Sequence, residues 1–68
     1  MKPDWKDAPE WAKWLAMDEN GDWFWFEFSP TIDNEISCWE VRRGTYQYAW
    51  SEYAECPEWQ ESLKAKPE

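Results

Sequence analysis

Apolar residues change their spacing several times along this chain, and each spacing predicts a different element. Ala8, Trp11, Ala12, Trp14 and Leu15 fall at helical intervals and make one apolar stripe. Asp7 stands where a helix would be capped, Glu10 follows three residues on as in a capping box, and Pro9 is tolerated in a first turn. Asn20-Gly21 then offers the left-handed backbone that stops a helix. A first helix is therefore expected to open at residues 7–10 and to end before Asn20.

From residue 22 to residue 29 the pattern is strand-like, and it ends at Pro30. In GDWFWFEF, Trp23 and Trp25 point one way and Phe24, Phe26 and Phe28 the other, so both sides of this strand are apolar. Residues 31–35 read as a polar connection and 36–42 as a second strand. Arg43-Gly44 reads as a turn. Residues 45–50 read as a third strand, with Tyr46, Tyr48 and Trp50 on one face; Tyr46, Ala49, Trp50 and Tyr53 also fit a helical stripe. Pro57 opens a last helix carrying Trp59 and Leu63 one turn apart, which frays through residues 64–67. Pro9-Glu10-Trp11 and Pro57-Glu58-Trp59 are then the same helix-start solution used twice.

The expected fold class is α+β: one small domain, residues 1–68, in the order α-β-β-β-α. A three-stranded antiparallel meander is packed by two short terminal helices, with residues 1–6 and 66–68 as flexible tails. The strand at 22–29 is expected at the centre, because an edge strand apolar on both sides invites aggregation. Trp11, Trp14 and Trp59 are expected to anchor the helices to the sheet. Two short helices shield one face of three strands, which leaves an aromatic face for binding.

Size and composition sharpen this picture. A chain of 68 residues has a core worth only about 3–5 kcal/mol without reinforcement. Here the reinforcement is eight Trp, three Tyr and three Phe, large rings that fill a small core with little backbone. Seven basic against fifteen acidic residues and no His give a net charge of −8. That balance argues against direct binding of nucleic acid or of an anionic membrane surface. It serves solubility, and it also suits a partner with a basic surface. The N-terminal residues show no apolar signal region and no stretch is long enough to span a membrane, so a cytoplasmic protein is expected. Cys38 and Cys56 are then expected to be reduced, free thiols. Without His they do not complete a four-ligand zinc site.

Residues 18–22, DENGD, look like the opening of a calcium loop, but Trp23 and Ser29 stand where such a loop needs Gly and Glu. The spacing of Trp39 and Trp59, with RRGTY at 42–46, resembles WW domains. Gln60, Glu61 and Ser62 follow Trp59 where that fold needs a proline. Catalysis has no His, phosphate loop or nucleophile turn to rest on, so no enzyme, no cofactor and no metal are expected. Sugar stacking on exposed tryptophans belongs mostly to secreted modules, and no export signal is visible here.

Two segments carry a family resemblance. DWKDAPEWAKWLA at 4–16 with GDWFWFE at 21–27 is similar to the opening of small acidic, Trp-rich phage and prophage proteins. PEWQESLKAKP at 57–67 resembles their closing segment. The match covers about half of the chain, and that family has no assigned activity or functional residues. The resemblance implies a phage-type protein at work in the bacterial host cytoplasm. Such a protein is expected to bind and inhibit or modulate a host protein, occupying a nucleic-acid site on a nuclease, polymerase or defence complex. The expected contact residues are Trp23, Trp25, Tyr46, Tyr48 and Trp50, rimmed by Glu27, Glu40, Glu52 and Glu55. The alternatives are a phage accessory or assembly protein, or a self-associating piece whose rings bury one another in a homodimer.

Overall fold

The computed structural model describes residues 3–67. It corrects the expected fold class, because there is no α-helix among the described residues and the domain is built on strands. The strands are β1 (Trp14–Met17), β2 (Asp22–Phe26), β3 (Thr31–Asp33), β4 (Cys38–Glu40), β5 (Tyr46–Ser51) and β6 (Lys64–Ala65). The first expected helix is replaced by a turn and β1, with a 3-10 turn at Trp5–Asp7 just before it, at the end of the expected tail. The last expected helix is reduced to a single 3-10 turn at Trp59–Glu61. Four strands form one antiparallel sheet in the order β5-β2-β1-β6, and β3-β4 is a separate hairpin inserted between β2 and β5.

The first predicted helix is a strand because of its turn. The N–H of Gly21 donates to the carbonyl of Asp18 at 2.9 Å and the N–H of Asp18 donates to the carbonyl of Asp22 at 2.9 Å. Gly21 has φ +92°, and the Asn20 side chain accepts from the Asp22 N–H at 3.0 Å. This is a three-residue hairpin loop closed by a left-handed glycine. The Asn20-Gly21 pair that suits a helix stop thus joins β1 to β2. A helix of this length is marginal alone, whereas pairing β1 with β2 buries Leu15, Ala16 and Met17 and covers an edge of the aromatic strand. Upstream, Pro9 sets a turn closed by the Ala12 N–H at 3.0 Å from its carbonyl.

The C-terminal helix is corrected for a related reason. Ser62 accepts the Met17 N–H on its Oγ at 2.8 Å, and the chain then extends, so that Lys64 pairs with Leu15 and Ala65 with Trp14. The edge of β1 recruits this segment as a strand.

The expected meander is corrected as well. The segment predicted as the second strand does not join β2; its central part is β4, paired with β3 in a region read as a polar connection. The strand beside β2 is β5, with Phe26 opposite Tyr46, Phe24 opposite Tyr48 and Trp23 opposite Trp50. The register shifts between Trp23 and Phe24, which leaves Ala49 as the extra residue of a bulge. The strand expected at 22–29 runs only over Asp22–Phe26, and it is central as expected, with β5 on one side and β1 on the other.

The register divides the side chains between two faces. Leu15, Met17, Trp23, Trp25 and Trp50 share the first, and Trp14, Ala16, Phe24, Phe26, Tyr46 and Tyr48 share the second. The N-terminal turn covers part of the first face, with the Trp5 ring 5.0 Å from that of Trp25. Trp5 thus packs on the sheet within a segment expected as a tail, and the Lys66 N–H donates to the carbonyl of Lys13 at 2.8 Å. The tail residues 1–2 and 68 lie outside the described residues. On the second face β4 folds over the sheet, and its Trp39 meets Trp59 edge-on at 6.1 Å. Trp59 is buried as an anchor, while Trp11 and Trp14 are half-buried against the core.

Candidate functional site

The second face is only partly covered, and the uncovered part is aromatic. Phe24 is its centre: Tyr48 stands edge-on to it at 5.8 Å, Tyr46 lies at 6.1 Å and Phe26 at 6.4 Å. Tyr46 stacks on Phe26 at 6.5 Å with 23° between the planes. Phe26 is buried beneath this layer, whereas Tyr46 is 56% and Tyr48 51% exposed. Cross-strand pairing explains the arrangement, since β2 and β5 contribute alternate residues to one surface.

Where β4 meets this surface, a cleft of about 340 Å³ opens, lined by Asp18, Phe24, Phe26, Trp39, Val41 and Tyr46. Its one charged group is Asp18, whose Oδ1 accepts the backbone N–H of Trp39 at 2.8 Å. Partial burial raises the Asp18 carboxyl above the usual carboxylate range; the Trp39 N–H pulls it back down and the charge of Asp22 pushes it further up. Nearby, burial pushes the Cys38 thiol upward, and the charges of Asp18, Asp33 and Glu40 add to this. Cys38 and Cys56 are both free.

The expected contact set is split by the fold. Trp23 and Trp25 are corrected: each is only 2% exposed, on the opposite face, so neither forms a contact surface. Their burial follows from packing against Trp5 and the β1 residues Leu15 and Met17. Trp50 is half-buried on that same covered face, opposite Trp23. Tyr46 and Tyr48 lie on the open face as expected.

The acidic rim is also dispersed. Glu27 accepts the Thr45 N–H at 3.0 Å and helps close the turn into β5. Glu52 accepts the Trp23 Nε1–H at 3.1 Å, which ties it to the core. Glu40 is exposed, 4.0 Å from Arg42, and Glu55 is exposed on the segment after β5. Phe24, Trp39, Val41 and Asp18 were not anticipated as site residues. Phe24 was legible: alternation sets it opposite Trp23 and Trp25, so burying those two leaves it on the other side.

No protein-family model, curated protein or solved structure matches the chain. Among the described residues no cluster of three or more acidic or sulfur ligands is placed to hold a metal ion. Among the described residues no helix is long and apolar enough to cross a membrane. The DENGD segment is a hairpin loop whose side chains bond one another, with Asn20 Nδ2 donating to Asp22 at 3.2 Å.

Proposed function

We propose that this chain is a small acidic binding protein that attaches to another protein through the Phe24–Tyr46–Tyr48 face. In keeping with the phage-type motifs at its two ends, the target we favour is a host protein in the bacterial cytoplasm, inhibited or modulated by the contact. The observation that carries this reading is the pair of half-exposed tyrosines ranked over Phe24 on a fixed sheet. Clustered aromatics of this kind supply the strongest contacts of protein interfaces. The net charge of −8 supports a basic partner surface, such as the nucleic-acid site of a nuclease, polymerase or defence complex. The same charge works against direct nucleic-acid binding.

The test is retention of proteins from bacterial lysate on immobilised wild-type chain and on the double variant Tyr46→Ser, Tyr48→Ser. Both tyrosines are about half exposed, and the melting temperature of the variant checks that it is folded. A protein held by the wild type and lost with the variant supports the reading; identical retention on both removes it.

Self-association is a second reading with its own observation. Strand β5 is six residues long and stands at the edge of the sheet. Its outer edge has no strand partner among the described residues, and such an edge is a template for pairing with a second copy. Light scattering of the wild type decides this, since a stable dimer favours it and a monomer excludes it.

A further inference from the structure

The cleft beside the aromatic face has a more specific chemistry than the face itself. Rings or methyl groups line it on both sides, with Phe24, Phe26 and Tyr46 from the sheet and Trp39 and Val41 from the β3-β4 hairpin. The indole of Trp39 is fixed in place, because its Nε1–H donates to the carbonyl of Met17 at 2.9 Å. The one charge among the lining residues is the carboxylate of Asp18, and no cation lines the cleft. Among the described residues, the hydrogen bond to that carboxylate is the single one from the Trp39 backbone to Oδ1. Oδ2 therefore retains acceptor capacity toward a ligand. Aromatic walls with one carboxylate suit a cation that is weakly hydrated and flat.

We propose that this cleft receives one arginine side chain of the protein partner, its guanidinium lying against the rings and donating to Asp18. Arginine fits better than lysine on three counts: its planar head stacks on aromatic faces, it gives up water more easily, and it offers directed N–H donors. The molecule already uses this pairing elsewhere, with its own Arg43 guanidinium 4.1 Å from the centre of the Phe28 ring. Charge complementarity selects the occupant, since a chain of net charge −8 draws basic partners and one of its carboxylates, Asp18, lines the cleft. The proposal rests on the aromatic face being a protein-binding surface, and it names what that surface recognises.

The test uses the full chain and three blocked tripeptides, glycine-X-glycine with X arginine, citrulline or lysine, followed by the NMR signals of the Trp39 indole and the Phe24 and Tyr46 rings. The arginine peptide is expected to move these signals saturably. The citrulline peptide, uncharged but nearly the same shape, is expected to bind about tenfold more weakly, and the lysine peptide weaker than arginine. Asp18→Asn keeps an oxygen for the Trp39 N–H but removes the charge, and it is expected to weaken arginine binding several-fold. The inference is overturned by equal binding of citrulline, by lysine binding as well as arginine, or by the absence of any saturable shift with arginine. It is also overturned if Asp18→Asn retains a lysate protein as firmly as wild type. If the double tyrosine variant loses that same protein, the aromatic face stands and only the arginine slot falls.

Discussion

Trp39 donates its indole N–H to the backbone carbonyl of Met17 at 2.9 Å, a bond from the β3-β4 hairpin to the last residue of β1. The Ser62 hydroxyl lies 3.2 Å from the same carbonyl, but its single proton is better placed toward the carbonyl of Trp59 at 2.6 Å. The Met17 carbonyl therefore depends on Trp39. Replacing Trp39 by Phe keeps most of the apolar volume and removes this donor, and is expected to cost about 1–3 kcal/mol. Replacing it by Ala adds a cavity and is expected to cost about 3–5 kcal/mol, comparable to the whole stability of a domain this small. Urea unfolding of the two variants checks both; a Phe variant as stable as wild type would show that the Met17 carbonyl finds another partner.

Gly21 is held by two constraints. Its φ is +92°, and a Cβ added there would run into the backbone carbonyl of Ala54. Backbone cannot step aside as a side chain can. Gly44 has φ +81°, and its added Cβ would meet the Phe28 ring at 2.5 Å, a neighbour that is 38% exposed and free to swing. Gly21→Ala is therefore expected to cost more than the 1–2 kcal/mol of a left-handed residue alone, and Gly44→Ala less than Gly21→Ala. Melting temperatures in that order bear out the distinction, and the reverse order contradicts it.

The β1-β2 turn also shows how far the sequence carries. Strands β2 and β5 were legible because their aromatic runs end at Pro30 and begin after Gly44. Strand β1 was not, since Trp11, Trp14 and Leu15 satisfy a helical stripe and a four-residue apolar strand has no period of its own. What decides between them is a partner strand. The DENGD segment held the local clue, a polar turn with glycine before an aromatic run, which serves a hairpin as well as a helix stop. Likewise, alternation separated Trp23 and Trp25 from Phe24 and Phe26. Which set is covered depends on where Trp5 and the β3-β4 hairpin fold back, a tertiary matter. Asp18 and Trp39 meet only because the hairpin crosses the sheet.

Asp18 should leave a mark on stability as a function of pH. Its carboxyl is raised in the folded chain above the ordinary 3.8, first by burial. Between the unfolded and folded values the folded protein holds more protons, so this group's contribution falls as pH rises through the window above 3.8. Asp18→Asn has no such titration. The melting temperature of the Asn variant minus that of wild type should therefore be larger at about pH 7 than at about pH 4. A difference independent of pH would mean that the Trp39 N–H cancels the burial.

Cys38 should be a sluggish thiol. Burial and the charges of Asp18, Asp33 and Glu40 all act to keep it protonated, and it is the thiolate that reacts. Alkylation by iodoacetamide near neutral pH should be several-fold slower at Cys38 in the folded chain than in urea, read by mass spectrometry of the peptide. Equal rates would show that the segment opens faster than the reagent acts.

Amide exchange should rank the strands by how many edges are paired, with β2 slowest. The four positions Trp23 to Phe26 of β2 lie between β1 and β5, and the Glu27 N–H extends the ladder to the Thr45 carbonyl at 2.9 Å. Strand β1 comes next, since β6 pairs only with Trp14 and Leu15 and the Met17 N–H is held by the Ser62 side chain instead of by a strand. Strand β5 is an edge, so its outward amides should exchange early. The β3-β4 hairpin has three paired positions and is tied to the rest by Trp39 and by the Glu19 N–H at 3.2 Å from the Ser37 carbonyl. Protection greater in β4 or on the outer side of β5 than at residues 23–26 would contradict this ranking. The ranking also bears on binding. Phe24 and Phe26 sit on the slowest strand, whereas Tyr46 and Tyr48 sit on an edge that can adjust. A partner seated on that face should slow exchange in β5 and in the β3-β4 hairpin and leave β2 unchanged, and slowing confined to the N-terminal turn would place it on the opposite face.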